Sequence, residues 1–137
     1  SDVQTRGHIT KKLVAKAEKY NITPERMHID PLVIALSTDN DSLLKFMETT
    51  GIIKKLYPTI KVTSGLSNIS FGMPLRRVVN QNFLTLAMSA GMDSAIMDPC
   101  NQEMMAALLA TEALLGRDKY CRKYANAYRK GKIGAKK

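Results

Sequence analysis

Val62-Thr63-Ser64-Gly65-Leu66-Ser67-Asn68-Ile69-Ser70-Phe71-Gly72 is a β-branched run that breaks abruptly into glycine, serine and asparagine. It reads as a buried strand over residues 60–66, followed by a loop over 67–74. In parallel α/β proteins, ligands bind at the C-terminal ends of strands. A serine and an asparagine there offer neutral hydrogen bonds rather than acid, metal or nucleophile chemistry. Such a site suits a heterocycle with alternating donors and acceptors.

Two further strands flank this one. The first, over 26–30, ends at Asp30-Pro31, and the third, over 94–97, ends at Asp98-Pro99. Proline has no N–H for a sheet ladder, so each strand must stop there. Helical periodicity fills the intervals. Residues 8–20 form an amphipathic helix with Ile9, Leu13, Val14, Ala17 and Tyr20 on one face. Residues 32–38 are a loop. A second helix runs from the Asp39-Asn40-Asp41-Ser42 capping choices to about residue 57, with Leu43, Leu44, Met47, Ile52 and Ile53 inward and Gly51 as an expected interruption. A third spans 75–90 and closes on Gly91, and a fourth spans 101–115 and closes on Gly116. Asp118 caps a last helix with Tyr120, Tyr124 and Tyr128 on one face.

Strands that alternate with helices imply βαβ units and a parallel sheet. Three short strands leave two exposed edges, so the chain reads as part of a larger α/β structure. A (β/α)₈ barrel takes roughly 250 residues, about twice this chain.

At 137 residues the chain is one domain by length. It has no long apolar run and no secretory leader, which points to a cytoplasmic protein without membrane contact. The opening Ser-Asp-Val-Gln resembles an interior cut. Cys100 and Cys121, on separate predicted helices, have no CxxC spacing or nearby histidine pair, so no protein-bound metal is expected. The formal charge of +9 gathers late, in Arg122, Lys123, Arg129, Lys130, Lys132, Lys136 and Lys137. That is either a patch for an acidic partner or polyanion, or a solvated helix with a frayed basic tail over 130–137. No aromatic-interleaved basic strand or recognition helix supports nucleic-acid binding. His28 reads as a core or interface histidine, His8 as solvated, and Met88, Met92, Met97, Met104 and Met105 as core filler.

Three motifs carry a family resemblance. Ile29-Asp30-Pro31-Leu32, the Gly65–Gly72 segment and Ala90-Gly91-Met92-Asp93-Ser94-Ala95-Ile96-Met97-Asp98-Pro99 resemble the pterin-binding methyltetrahydrofolate:corrinoid protein methyltransferases. These are related to the folate domain of cobalamin-dependent methionine synthase and to dihydropteroate synthase. The resemblance covers nearly the whole chain in order and spacing. It implies α/β architecture, namely the C-terminal part (last three βα units) of a (β/α)₈ TIM-type barrel over residues 1–137. It implies transfer of a methyl group from N5 of methyltetrahydrofolate to Co(I) of a corrinoid (cobalamin) carried on a partner protein.

By the same resemblance, Asn68 is the catalytic residue whose amide reaches N5, where the leaving amine needs a hydrogen bond. Asp30 accepts from the pterin's amino and ring N–H groups. Gly65 lets the ligand approach the backbone. Ser67 offers a polar group to the ring, Arg76 lies near the pterin and Ile96 packs on its face. The family's earlier strands, which supply another Asp and Asn, have no counterpart here. Two other readings compete. One is a non-enzymatic or inactive half-barrel that binds folate or a corrinoid protein. The other is a dihydropteroate synthase, which wants a lysine just after Gly-x-Ser and an Arg-x-His pair at the last strand; Asn68 and Ile96-Met97-Asp98 stand there instead. A sheet with bare edges is expected to form a homodimer or otherwise self-associate.

Overall fold

The computed structural model describes residues 2–134. Five helices, α1 (Val3–Glu18), α2 (Ser42–Leu56), α3 (Arg76–Ala90), α4 (Gln102–Leu114) and α5 (Arg122–Arg129), accompany three strands, β1 (His28–Ile29), β2 (Lys61–Gly65) and β3 (Ser94–Ile96). The strands form a parallel sheet in the order β1-β2-β3. Ile29 lies opposite Val62, and Gly65 opposite Ile96.

Every strand alternates, and one face is covered. Ile29, Val62, Ser64 and Leu66 are buried beneath the helices. His28, Lys61, Thr63, Gly65, Ser94 and Ile96 occupy the other face, exposed or half-exposed. Antiparallel sheets often leave one face to water, whereas parallel sheets are normally buried on both. This parallel sheet therefore presents an unusual open face of polar and small residues with one large apolar side chain. His28 stands exposed on this face, which excludes the core position expected for it and leaves the interface one.

The core lies between the sheet and the row α1-α2-α3-α4. Phe46 of α2 meets Phe83 of α3 edge-on, with ring centroids 5.7 Å apart. Ile53, Ile60, Val62, Leu84, Met88 and Met92 surround them. α2 runs unbroken through Gly51, because Thr49, Thr50 and Ile53 anchor that turn in the core, outweighing the glycine's cost of about 1 kcal/mol. Leu44, expected inward, is exposed. α1 starts five residues earlier than its periodicity suggests, where the Asp2 carboxylate accepts the Thr5 amide at 2.7 Å. Its buried residues are Arg6, Gly7, Thr10 and Val14, while Ile9 and Leu13 are each 48% exposed and Tyr20 70%. The α1 stripe faces the unpaired edge of β1, and with Ile29 and Leu32 it lines a groove there.

Asp118 does cap α5, accepting the amides of Lys123 at 2.9 Å and Tyr124 at 3.0 Å. Tyr120 lies outside that helix, in a left-handed turn with Cys121, so the three tyrosines do not share one helical face. Cys100 sits in the loop before α4 rather than on a helix. The basic tail expected over 130–137 falls partly outside the described residues; within it, Ile133 is buried.

At the N-terminal end of the sheet, the Asp93 carboxylate accepts from the Lys54 ammonium and from the Val62 amide at 2.8 Å. Partial burial raises its pKa, but these hydrogen bonds outweigh that effect and hold it below the usual carboxylate value. A depressed folded-state pKa contributes stability above the unfolded value, near 3.9, and loses it as pH falls through the folded one. Asp93→Asn is therefore expected to cost about 1 kcal/mol at pH 7, since the pair is partly exposed. Urea titrations of the two proteins at pH 7 and pH 3 check this: the gap should narrow at pH 3, and a constant gap would contradict the assignment.

Candidate functional site

Two strand ends are built alike. Asp30 Oδ1 accepts the Leu32 amide at 2.9 Å, and Asp98 Oδ1 accepts the Cys100 amide at 2.9 Å. Each Asp-Pro step thus closes its strand with a side chain that mimics a turn. The Asp30 turn is the more constrained. Leu32 takes a left-handed φ of 68°, costly for a residue with a branched side chain. Its amide is held by Asp30, and its carbonyl accepts from the Arg6 guanidinium at 3.1 Å. The second oxygen of Asp30 has no hydrogen-bond partner among the described residues, and the residue is exposed.

β2 ends in Gly65, Leu66 and a 3₁₀ turn over Asn68–Ser70. The Gly65 φ is ordinary, and a Cβ built there meets nothing within 4 Å. Neither backbone strain nor internal packing requires glycine at this position. Beside it in register stands Ile96, 76% exposed at the end of β3. Leu32, Phe71 and Leu75 are also exposed in the loops at this end of the sheet. An apolar fringe thus borders the polar Asp30, Ser67 and Asn68, a combination that suits a flat, partly apolar ring with polar edges.

The loops after β1 and β2 are tied together. The Asn68 side-chain amide donates to the Val33 carbonyl at 2.6 Å, the Leu36 amide to the Ile69 carbonyl at 3.0 Å, and the Ser37 hydroxyl to the Phe71 carbonyl at 3.0 Å. Asn68 is exposed and bridges the two strand ends. Arg76 donates from Nη2 to the Ser67 carbonyl at 2.6 Å and from Nε to the Ser70 hydroxyl at 3.0 Å, and lies 5.9 Å from the Phe71 ring centroid. It braces the loop from the first turn of α3.

Five of the six residues singled out from the sequence therefore lie at the carboxyl end of the sheet or in its loops, and the sixth, Arg76, reaches the loop from the first turn of α3. Gly65 and Ile96 are side by side, Ser67 and Arg76 are bonded, and Asn68 is anchored three residues beyond Asp30. Sequence reasoning passed over Arg6, Ser70 and Asn80. Ser70 stood within the quoted motif, but its bonds to Asn80 and Arg76 span 10 and 6 residues and follow no helical or strand period. Among the described residues, no cluster of three or more His, Cys, Asp or Glu side chains could hold a metal, and no helix is long and apolar enough to cross a membrane.

No protein-family model matches the chain. Over 132 residues it is 56% identical to the methylcorrinoid:tetrahydrofolate methyltransferase of Eubacterium limosum, an alignment that covers 96% of this chain and 49% of that protein. It is 38% identical over 74 residues to the methionine synthase of Mycobacterium tuberculosis, covering 50% of this chain and 6% of that enzyme. It is 34% identical over 109 residues to the methionine synthase of Mycobacterium leprae, covering 69% of this chain and 9% of that enzyme. The chain thus spans about half the length of the first of these relatives and a small part of the other two.

Proposed function

We propose, of a chain that by sequence is a relative of the methylcorrinoid:tetrahydrofolate methyltransferases, that its strand ends form one side of a tetrahydrofolate site for methyl transfer to or from a corrinoid. One observation carries the reading. The alignment with that relative, over 96% of this chain, spans the strand ends that bring Asp30, Gly65, Asn68 and Ile96 to one edge of the sheet. The relative's name writes the transfer from methylcorrinoid to tetrahydrofolate, whereas the sequence motifs were read in the opposite sense. The chemistry is one reaction run in two directions. The groups that stabilise its transition state serve both.

In this reading, Asp30 accepts from the amino and ring N–H groups of the pterin, using the carboxylate oxygen that the turn leaves over. Ile96 and the open face at Gly65 receive the flat ring. Asn68 donates its amide to N5 as the carbon–nitrogen bond breaks or forms; a neutral donor stabilises the developing lone pair without becoming a charge itself. Ser67 and Arg76 shape the loop that carries it. The corrinoid is a substrate borne by a partner protein. The open sheet face and the unpaired edges of β1 and β3 support completion of a barrel by further strands, or self-association as a homodimer. In this reading the protein works in the cytoplasm.

The test is equilibrium binding of tetrahydrofolate to this chain, and to the chain joined to the other half of its relative. Gly65→Val belongs beside both. Because a Cβ at Gly65 meets only open space, the variant is expected to melt within a few degrees of the parent. It should nevertheless weaken tetrahydrofolate by more than about tenfold, since the added methyls occupy the ring's place. Unchanged affinity in the Val variant would remove the ligand from this face, and no binding by either chain would end the folate reading.

A further inference from the structure

We propose that Ser70 is a positioning residue for Asn68. This rests on the folate site proposed above and adds to it the device that sets its hydrogen-bond donor. The Ser70 hydroxyl is fully buried, with three polar atoms around it. Asn80 Oδ1 lies at 2.6 Å, Arg76 Nε at 3.0 Å and the Ser67 carbonyl at 3.2 Å. A serine hydroxyl has one proton and two lone pairs. The short contact assigns the proton to Asn80, the Arg76 N–H supplies a bond inward, and the Ser67 carbonyl is held mainly by Arg76 Nη2 at 2.6 Å.

Both partners are on α3, whose Phe83, Leu84, Ala87 and Met88 are embedded in the core. Ser70 therefore pins the Asn68–Ser70 turn to the most rigid neighbouring element. Its other side reaches the β1 loop through three bonds, Asn68 to Val33, Ile69 to Leu36 and Phe71 to Ser37. The order of support runs from the core through α3 to Ser70, then to the turn, and finally to the exposed amide of Asn68. A donor must be fixed to within a fraction of an ångström to be effective, and buried hydrogen bonds behind it supply that fixity. Without the Ser70 hydroxyl, the turn keeps its sequence and its exposed face but loses its anchor.

The experiment compares the parent chain with Ser70→Ala, Asn80→Leu and Asn80→Asp by amide hydrogen exchange, thermal melting and tetrahydrofolate binding. Asn80→Asp keeps an oxygen acceptor for the Ser70 proton; Asn80→Leu removes it. In Ser70→Ala and Asn80→Leu, exchange at the Leu36 amide should quicken about tenfold, while the Met88 amide inside α3 stays as protected as in the parent. Affinity for tetrahydrofolate should fall about tenfold, the scale of one lost buried hydrogen bond. Asn80→Asp should match the parent in both readouts.

Unchanged exchange at Leu36 in Ser70→Ala overturns the proposal, as does an Asn80→Asp variant as impaired as Asn80→Leu. Faster exchange with parental affinity overturns the link from the turn to the ligand. If the parent binds no tetrahydrofolate, the folate reading fails by itself, and exchange at Leu36 still decides whether Ser70 anchors the turn. Should Ser70→Ala fail to fold, the Asn80 pair carries the comparison.

Discussion

Asn68→Ala is expected to slow methyl transfer at saturating tetrahydrofolate by roughly 10²–10³-fold, the usual effect of removing one positioned donor at a developing charge. Affinity should fall by no more than about tenfold, the part due to the loosened loop, because in the proposed site Asp30 holds the pterin's polar edge and Ile96 its face. The prediction is complicated by a second task of the same amide, which ties the two loops through Val33 at 2.6 Å. The two roles separate in the kinetics. Loss of a donor used in the transition state lowers kcat with little change in KM, whereas a loosened loop raises KM and quickens exchange at Leu36. The assay is methyl exchange between a methylated corrinoid protein and tetrahydrofolate, using the preparation that turns over. An unchanged kcat in Asn68→Ala would assign the residue to loop architecture alone.

Phe46→Ala should have the largest effect on stability. The ring has no solvent exposure and packs against Phe83, in the part of the core that joins α2 to α3 and both to β2. Truncating a buried phenylalanine costs about 3–5 kcal/mol from lost transfer energy and the cavity left behind. For a domain of this size that lowers Tm by about 10–20 °C, and it consumes much of a typical total stability. Calorimetry of the two proteins measures it. A shift of under about 5 °C would mean that the core collapses around the gap, contrary to the dense packing between the sheet and its helices.

Much of this architecture can be read locally. The Asp-Pro steps at 30–31 and 98–99 end their strands because proline cannot extend a ladder. Gly91 ends α3 in a left-handed conformation, and a Cβ there would touch Thr50 and Lys54. Asn101 caps α4 by accepting the Met104 amide at 3.1 Å. These effects act over three or four residues, so the sequence displays them openly. It also placed Asp30, Gly65, Ser67, Asn68 and Ile96 at the same edge of the sheet, since alternating strands and helices put every strand end on one side; Arg76, named by the family resemblance, stands in the first turn of α3.

The sequence by itself thus determined the order of elements, the parallel sheet and the set of residues at its carboxyl edge. The tertiary structure alone decided what those residues touch. The α1 stripe of Ile9 and Leu13 has the period of a core face, yet it faces an unpaired strand edge, because burial depends on what neighbours exist to cover it. Arg6 meets the Leu32 carbonyl across 26 residues and Asn68 meets Val33 across 35. Contacts of that reach depend on sheet register and on the paths of two loops, which no local propensity encodes. The anchoring of Asn68 through Ser70, Asn80 and Arg76 is of this kind. Its donors and acceptors are ordinary polar residues in the sequence, and burial of the Ser70 hydroxyl among them turns them into a support.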